Sequence, residues 1–530
     1  MNVYDLDHLG IIAGIVDQLD LEARVNSCLG EHPQQIVSPG QGIKAMILNG
    51  LGFVSAPLYL YEGFFLGKAT SHLLGEGIEP HHLNDDYLGR LLDKIWAYGP
   101  SKLFSLIAMD ASGIFGLDAG RYHLDSSSFS VHGAYDDVAE DIGSIAITYG
   151  HSKDHRPDLK QFITEMVCSH DGSVPLSFQV ASGNQSDQAV FGERLHAFAQ
   201  QWDVDGILVA DAALYSAENL EKLGSLRWIT RVPLTLSQAQ ALVTELAPED
   251  FVDSERPGYR FSSVCSTYGD VKQLWVVVEN QGRIESDHRQ VDKQVEKARK
   301  QAQSQWRTQQ NTDFSCTDDA LMQAKAFAAR WRYHTLEHLS VVKTLHYQHP
   351  GRPKKDEPPT NVTYRAMATL VEDEAAIARA KRKAGRFIVA TNIVDNLEVT
   401  PDTILGDYKG QQAAEGGFKL LKDPLFFTSS VFLKTPERIA ALATVMALAL
   451  MVYTLGQRYL RKALAQNNET VLDQKKRPTP TPTLRWIFQS FQAIHLVCLN
   501  GQKQVSNLTP ERLKILSFFG PMCQKYYLTG

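Results

Sequence analysis

No two of the six cysteines in this 530-residue chain stand two residues apart: Cys28, Cys168, Cys265, Cys316, Cys498 and Cys523 are scattered along it. That speaks against a zinc site and against a disulfide framework, so the chain reads as a reduced, cytoplasmic protein. The opening MNVYDLDHLG lacks a basic n-region and a cleavage-site pattern, so no signal peptide is expected. Long apolar runs are lacking too. The longest, Ile439 to Leu455, is Ala-rich and shorter than the about 20 residues a bilayer requires, so a buried helix is expected and no membrane partner. Nor is there a surplus of positive charge: the net charge is −7, and residues 1–110, with thirteen acids against six bases, account for all of it. The remainder is near neutral, with basic clusters at Arg379, Lys381, Arg382, Lys383 and Arg386 and at Lys475, Lys476 and Arg477. Such clusters can meet phosphates or simply solvate a helix face.

What is present is enough apolar residue, 44%, for a large core and more than one domain. Residues 1–115 read as helical, since HLGIIAGIVDQLDLEARVNSCL, GQGIKAMILNGLGF and DDYLGRLLDKIWAYG repeat apolar residues at three and four, with Asp85 able to cap the last. From Gly120 the period becomes strand-like. RYHLDSSSFSVHG, KQFITEMVCSH and VPLSFQVASG read as three strands, the last two joined at Asp171-Gly172; a helix, the strand GILVAD, a second helix and LRWITRVP follow. The fold class is therefore α/β. A hairpin around Tyr268-Gly269-Asp270, two helical stretches and a Pro-rich loop then interrupt the pattern until RFIVATN. After an Ala-rich helix from Pro436, the linker KKRPTPTPT leads to a pair of helical segments near LRWIFQSFQAIHLVCL and TPERLKILSFF.

The most informative stretch is GDYKGQQAAEGGFKLLKDP, Gly406 to Pro424. At about 100° per residue, Tyr408, Gln411, Glu415 and Lys422 fall within an arc of roughly 60° on one helix. Such a face is a poor core stripe and suits a phosphate-rich ligand. Gly410, Gly416 and Gly417 each weaken the helix by about 1 kcal/mol relative to Ala, which fits either close DNA approach or an irregular helix.

Tyr, two residues, Arg, three residues, Glu, six residues, Lys is the pattern of a large group of bacterial insertion-sequence transposases of the DDE class. The stretch resembles it in spacing, with Gln411 in the arginine position. The resemblance implies an RNase H-like core whose third carboxylate is Glu415 and whose first two are Asp125, closing YHLD, and Asp211, closing GILVAD. It implies double-stranded DNA, both element ends and target, as partner, a homodimer in the DNA complex, and a nucleoid-associated place in a bacterial cell.

On that reading residues 1–115 recognise element ends or dimerise, 116–233 and 386–465 form the two parts of the catalytic core, and 234–385 are a β-rich insertion. Residues 466–530 are a helical carboxyl-terminal region. Two Mg²⁺ ions, with Mn²⁺ as substitute, would be held by Asp125 between them and by Asp211 and Glu415 one each. Two ions about 3.5–4 Å apart supply a nucleophile, a stabilised leaving oxygen and charge neutralisation, and hard oxygen ligands suffice to hold them. Tyr408, Gln411 and Lys422 would grip phosphates near the scissile bond, and Arg379, Lys381, Arg382 and Lys383 the DNA backbone. An amide lacks the charge and planar fork with which Arg binds phosphate. A catalytically inactive DNA-binding derivative and an RNase H-like nuclease are the alternatives. Asp136, Asp137, Asp154 and Asp187 are spare carboxylates, and the patch Tyr149, His151, Lys153, Asp154, His155, Arg156 reads as a DNA-backbone contact or a surface loop. Trp228 fits a half-buried strand position better than a stacking platform for a flipped base, and Arg231 follows on the same strand.

Overall fold

The computed structural model describes residues 1–53, 57, 60–133, 135, 145–348, 357–394, 399–423 and 433–528; Asp136, Asp137 and Pro424 lie outside them. Among the described residues the largest assembly is a nine-stranded mixed sheet. Arg121–Val131, Lys160–Ser169 and Pro175–Ser182 pair antiparallel in succession, and Ile207–Ala210 and then Arg227–Val232 are added in parallel on the other side of Arg121–Val131. A parallel neighbour needs a crossover. Helix Asp187–Trp202 supplies it.

The sheet then continues. Arg386–Thr391 pairs antiparallel with Arg227–Val232 on one side and with Val271–Asn280 on the other, and Tyr259–Tyr268 and Val252–Asp253 complete the edge. The expected insertion at 234–385 therefore does not open as a separate β-rich wing; its hairpin extends the core sheet. Val276 and Val278 are buried on one face and Val277 on the other, and a strand apolar on both faces belongs inside a sheet. What stands beyond the sheet is helices Gln281–Gln310 and Thr317–Ala328 with the hairpin His334–His346 and Asn361–Glu372, around a small core of Trp306, Ala320, Ala324 and Ala366.

Period-two alternation sorts the strand residues to two layers. Leu124, Leu208, Ala210 and Trp228 join Phe191 and Leu195 of helix Asp187–Trp202, whereas Ile207, Val209, Ile229 and Val389 face Ile404 and Leu405 of helix Pro401–Leu421. Trp228 is fully buried and is a core residue.

The amino-terminal region is helical as its periodicity predicts, from Leu9–Gln18 to Pro100–Phe115. Its cap differs: Asn84, not Asp85, accepts from the Tyr87 amide at 2.9 Å, and Asp85 sits in the first turn of Asp85–Tyr98, where its charge meets the helix dipole. The carboxyl-terminal segment also differs from expectation. Only Leu484–Ser490 of LRWIFQSFQAIHLVCL is helical; His495–Leu499 is a strand between Asn2–Asp5 and Gln502–Val505. A short apolar run fits either period, and its pairing partner lies at the far end of the chain.

Helix Pro436–Gln466, long and apolar enough to cross a membrane by composition, is 89% buried over its most apolar window. The amino-terminal helices, strand Pro175–Ser182, helix Pro401–Leu421 and helix Leu484–Ser490 all pack on it. Its Arg458 is buried and fastens three parts together. Nε donates to Asp171 Oδ2 at 2.8 Å, and Nη1 and Nη2 donate to the Phe115 and Gly116 carbonyls, each at 2.9 Å, at the end of helix Pro100–Phe115. Cations are favoured there because the last carbonyls have no helical partner. Arg458→Met keeps the aliphatic length but strands an aspartate and two carbonyls, and is expected to cost about 3 kcal/mol in urea denaturation, against little for exposed Arg382→Met.

Candidate active site

The parallel ladder between Arg121–Val131 and Ile207–Ala210 ends at the pair Leu124 and Ala210. The next residue on each side is an aspartate. Asp125 and Asp211 thus leave adjacent strands at the same level, and since Leu124 and Ala210 point to one layer, both aspartates point to the other. Asp125 is mid-strand only in its antiparallel pairing, which runs on to Val131. One oxygen of each carboxylate is fixed by a backbone amide, Ser126 N–H to Asp125 Oδ1 at 2.8 Å and Ala213 N–H to Asp211 Oδ1 at 2.9 Å.

Helix Pro401–Leu421 crosses that layer and presents Glu415, exposed. Thr400 caps it, accepting from the Thr403 amide at 3.3 Å, and proline at its first position is preorganised for helix. The helix is unbroken, and two of its four glycines, Gly410 and Gly417, have packing reasons. A Cβ at Gly410 would lie 2.8 Å from the His170 ring and 3.0 Å from that of His123, and one at Gly417 would lie 3.2 Å from Leu450. Gly416, beside Glu415, faces open space. His123 and His170 join through Nε2 and Nδ1 at 2.9 Å, and burial pushes His123 down to about 3, so this prop under the helix holds a neutral imidazole.

Burial pushes Asp125 up to about 7, with the charges of Asp211 and Glu415 adding to the rise and that of Lys153 opposing it. Burial raises Asp211 too, with Asp187 and Glu415 adding and the Ala213 amide and Lys153 opposing. Three carboxylates within one another's field, in an all-oxygen donor set, suit a hard divalent cation. Among the described residues no three His, Cys, Asp or Glu side chains gather round a single ion position.

Around the carboxylates stand groups of both signs. Tyr408 is raised by burial while the neighbouring Arg231 opposes the rise and hydrogen-bonds the phenol; Arg231 also lies over the Phe387 ring at 5.4 Å. Lys422 Nζ donates to Asp154 Oδ1 at 2.6 Å. Lys153 Nζ donates to Ser126 O at 2.8 Å, Ser126 Oγ at 2.6 Å and Asp187 Oδ2 at 2.8 Å. Lys153, Asp187 and Arg231 were not separable from ordinary surface or strand residues by sequence; the density of charge between Tyr149 and Arg156 was the one available signal.

Gln411 departs from its expected place. It is 6% exposed, and its Nε2 lies 3.4 Å from the Leu124 carbonyl beneath the helix. On the helix wheel it is the signature residue nearest the buried arc of Asp407, Ala414 and Phe418, so the sheet, not solvent, receives it. The basic cluster lies in the 234–385 segment, as the sequence has it. Arg379, Lys381 and Arg382 lie on helix Glu374–Arg382, which packs on Gln281–Gln310 and Ser237–Glu245. Lys381 pairs with Asp292 at 2.8 Å, and Lys383 is lowered by burial and by Arg332 and Arg379. Gln411→Arg would bury a guanidinium beside a carbonyl, and is expected to cost about 1–3 kcal/mol of stability without tightening DNA binding. Thermal melting and DNA anisotropy on the same variant, with Lys422→Ala for comparison, check this.

Residues 1–109 match a domain of unknown function, DUF4277, and residues 119–452 match the Transposase DDE domain. No curated protein matches the chain. Among solved structures, a similar chain is that of a piggyBac transposase synaptic complex with hairpin DNA, at 8% identity and a TM-score of 0.40, covering 90% of this chain and 79% of that one. A likeness that distant carries no weight beside the family match, which spans more than half of the residues. The chain belongs to the Transposase DDE domain family and is a DDE transposase enzyme.

Proposed function

We propose that this enzyme carries out cut-and-paste transposition of a bacterial insertion sequence, acting in the cytoplasm at the nucleoid as a homodimer on double-stranded DNA. The observation that carries the reading is the placement of Asp125 and Asp211 side by side under the Glu415 helix, each within the electrostatic reach of the others. Three antiparallel strands followed by two parallel ones and a crossover helix also agree with an RNase H-like core.

DDE transposase domains generally use divalent metal ions. Two Mg²⁺ ions, or Mn²⁺ in their place, would be held by Asp125, Asp211 and Glu415, and when bound supply charge neutralisation at the phosphate and activation of the attacking oxygen. The chain's own residues do the rest. The sheet fixes the two aspartates, and the His123–His170 pair sets the approach of the helix that carries Glu415. Tyr408, held by Arg231, and Lys422 contact phosphates beside the scissile bond. Hydrolysis at the element's ends frees a 3′-hydroxyl, which then attacks a target phosphodiester and joins the strands. Arg379, Lys381, Arg382 and Lys383 contact the DNA backbone at a distance, and residues 1–115 recognise the ends or pair two copies.

Asp125→Ala, Asp211→Ala and Glu415→Ala are each expected to abolish metal-dependent nicking and joining of duplexes bearing the element's inverted repeats, with end binding in chelator retained. Substantial nicking by any of the three removes that residue from the site, and wild-type nicking without joining favours a nuclease. Asp125 allows a second check. Its folded pKa of about 7 lies above its ordinary value of 3.8, so the stability from holding the proton is full below about pH 4 and is lost as the pH rises through about 7. Asp125→Asn, which needs no proton, is therefore expected to raise the melting temperature of the metal-free protein by a few degrees at pH 8 and to leave it nearly unchanged near pH 4.

A further inference from the structure

Lys153 and Asp154 are neighbours in sequence and serve opposite poles of the site. Lys153 is the charged group acting most strongly on both Asp125 and Asp211. Its ammonium is tied to the strand next to Asp125, through the Ser126 hydroxyl and carbonyl, and to Asp187. Asp154 is tied to Lys422. A cation thus stands among the carboxylates suited to a divalent ion, and an anion stands on the lysine suited to a phosphate. The loop backbone is anchored independently of both contacts: the Lys153 amide donates to Ser128 Oγ at 2.9 Å, the Gln161 side chain donates to the His151 carbonyl at 3.3 Å, and the Arg156 amide donates to Ser152 Oγ at 3.1 Å.

We propose that Lys153 and Asp154 are positioning residues of the active site, each holding one ligand-binding pole in place until a ligand of its own sign replaces it. The inference rests on the site assignment proposed above. The physical reason is that carboxylates crowded in a half-buried site repel one another, and an unpaired Lys422 would be free to adopt many rotamers. Lys153 offsets the first cost and Asp154 the second. Each contact is also a competitor. A divalent ion entering the carboxylates meets the charge of Lys153, and a DNA phosphate reaching Lys422 must displace Asp154. Both side chains are about one-third exposed, 33% and 34%, so the exchange needs no rearrangement of the core.

The test uses the full chain and two binding measurements without turnover. In chelator, Asp154→Asn is expected to tighten binding of an end-bearing duplex about two- to fivefold, the range of a part-exposed ion pair, measured by anisotropy. Asp158→Asn makes the same change of charge in the same loop, on a residue whose ion pair among the described residues is with Arg156, and is expected to give no comparable gain. In a Lys422→Ala background the gain from Asp154→Asn should vanish. Without DNA, Lys153→Met is expected to tighten Mn²⁺ binding severalfold in an electron paramagnetic resonance titration, and Asp125→Ala to abolish it. Retained Mn²⁺ binding in Asp125→Ala would overturn the site assignment itself. If Asp125→Ala loses the ion but Lys153→Met and Asp154→Asn leave affinities unchanged, or if the Asp154→Asn gain persists without Lys422, the positioning role fails. Should Lys153→Met not fold, the cycle on Asp154 and Lys422 decides.

Discussion

The burial of two aspartates side by side beneath the Glu415 helix is the constraint on which the rest of this structure depends. Burial is what most raises the cost of ionising Asp125 and Asp211, and the charge of Glu415 adds to it at both. A flexible chain would relieve that cost by moving the groups apart. Here two of the three are fixed by the register of a parallel strand pair and one backbone amide each, and the third by a helix laid across the sheet. Lys153, standing beside the aspartates, offsets part of the cost.

Holding the Glu415 helix at the right depth requires a rigid surround. Gly410 lets the helix approach a pair of imidazoles, and two turns on, at Gly417, helix Pro436–Gln466 packs against it. That long helix is in turn fixed to the Asp171 turn and to the last turn of the amino-terminal helices by Arg458. The two ends of the chain close the same core, since Asn2–Asp5 pairs with His495–Leu499 and Gly14 leaves room for the backbone of Cys523. Lys44, 3% exposed, completes this closure with Asp17, Glu22 and Tyr526. The acidity of residues 1–110 is partly explained by such internal pairing, and so is not by itself a statement about partners.

Much of this was legible in the residues. Helical periodicity located the amino-terminal helices and the buried apolar helix, period-two runs located the core strands, and the spacing from Tyr408 to Lys422 singled out the Glu415 helix, while the two aspartates came from the family resemblance that this spacing carries. Local rules reach that far because a helix face and a strand end are set by residues within a few positions of one another. Other features depended on partners distant in the chain. The extension of the sheet by Tyr259–Asn280 required Arg386–Thr391 to lie alongside, and the strand at His495–Leu499 required the first five residues.

The sequence by itself determined which chemical groups were available and at what spacing: three carboxylates, a tyrosine and a lysine in a pattern shared with a transposase family. Only the tertiary structure decided which of the spare charged groups join them. Asp187 and Lys153 enter the site, Asp154 takes Lys422, and Gln411 turns inward to the Leu124 carbonyl. The physical reason is that a helical wheel gives the angle of a side chain but not the direction of the sheet it meets. A loop's charges, likewise, are assigned only by the elements that fold against them.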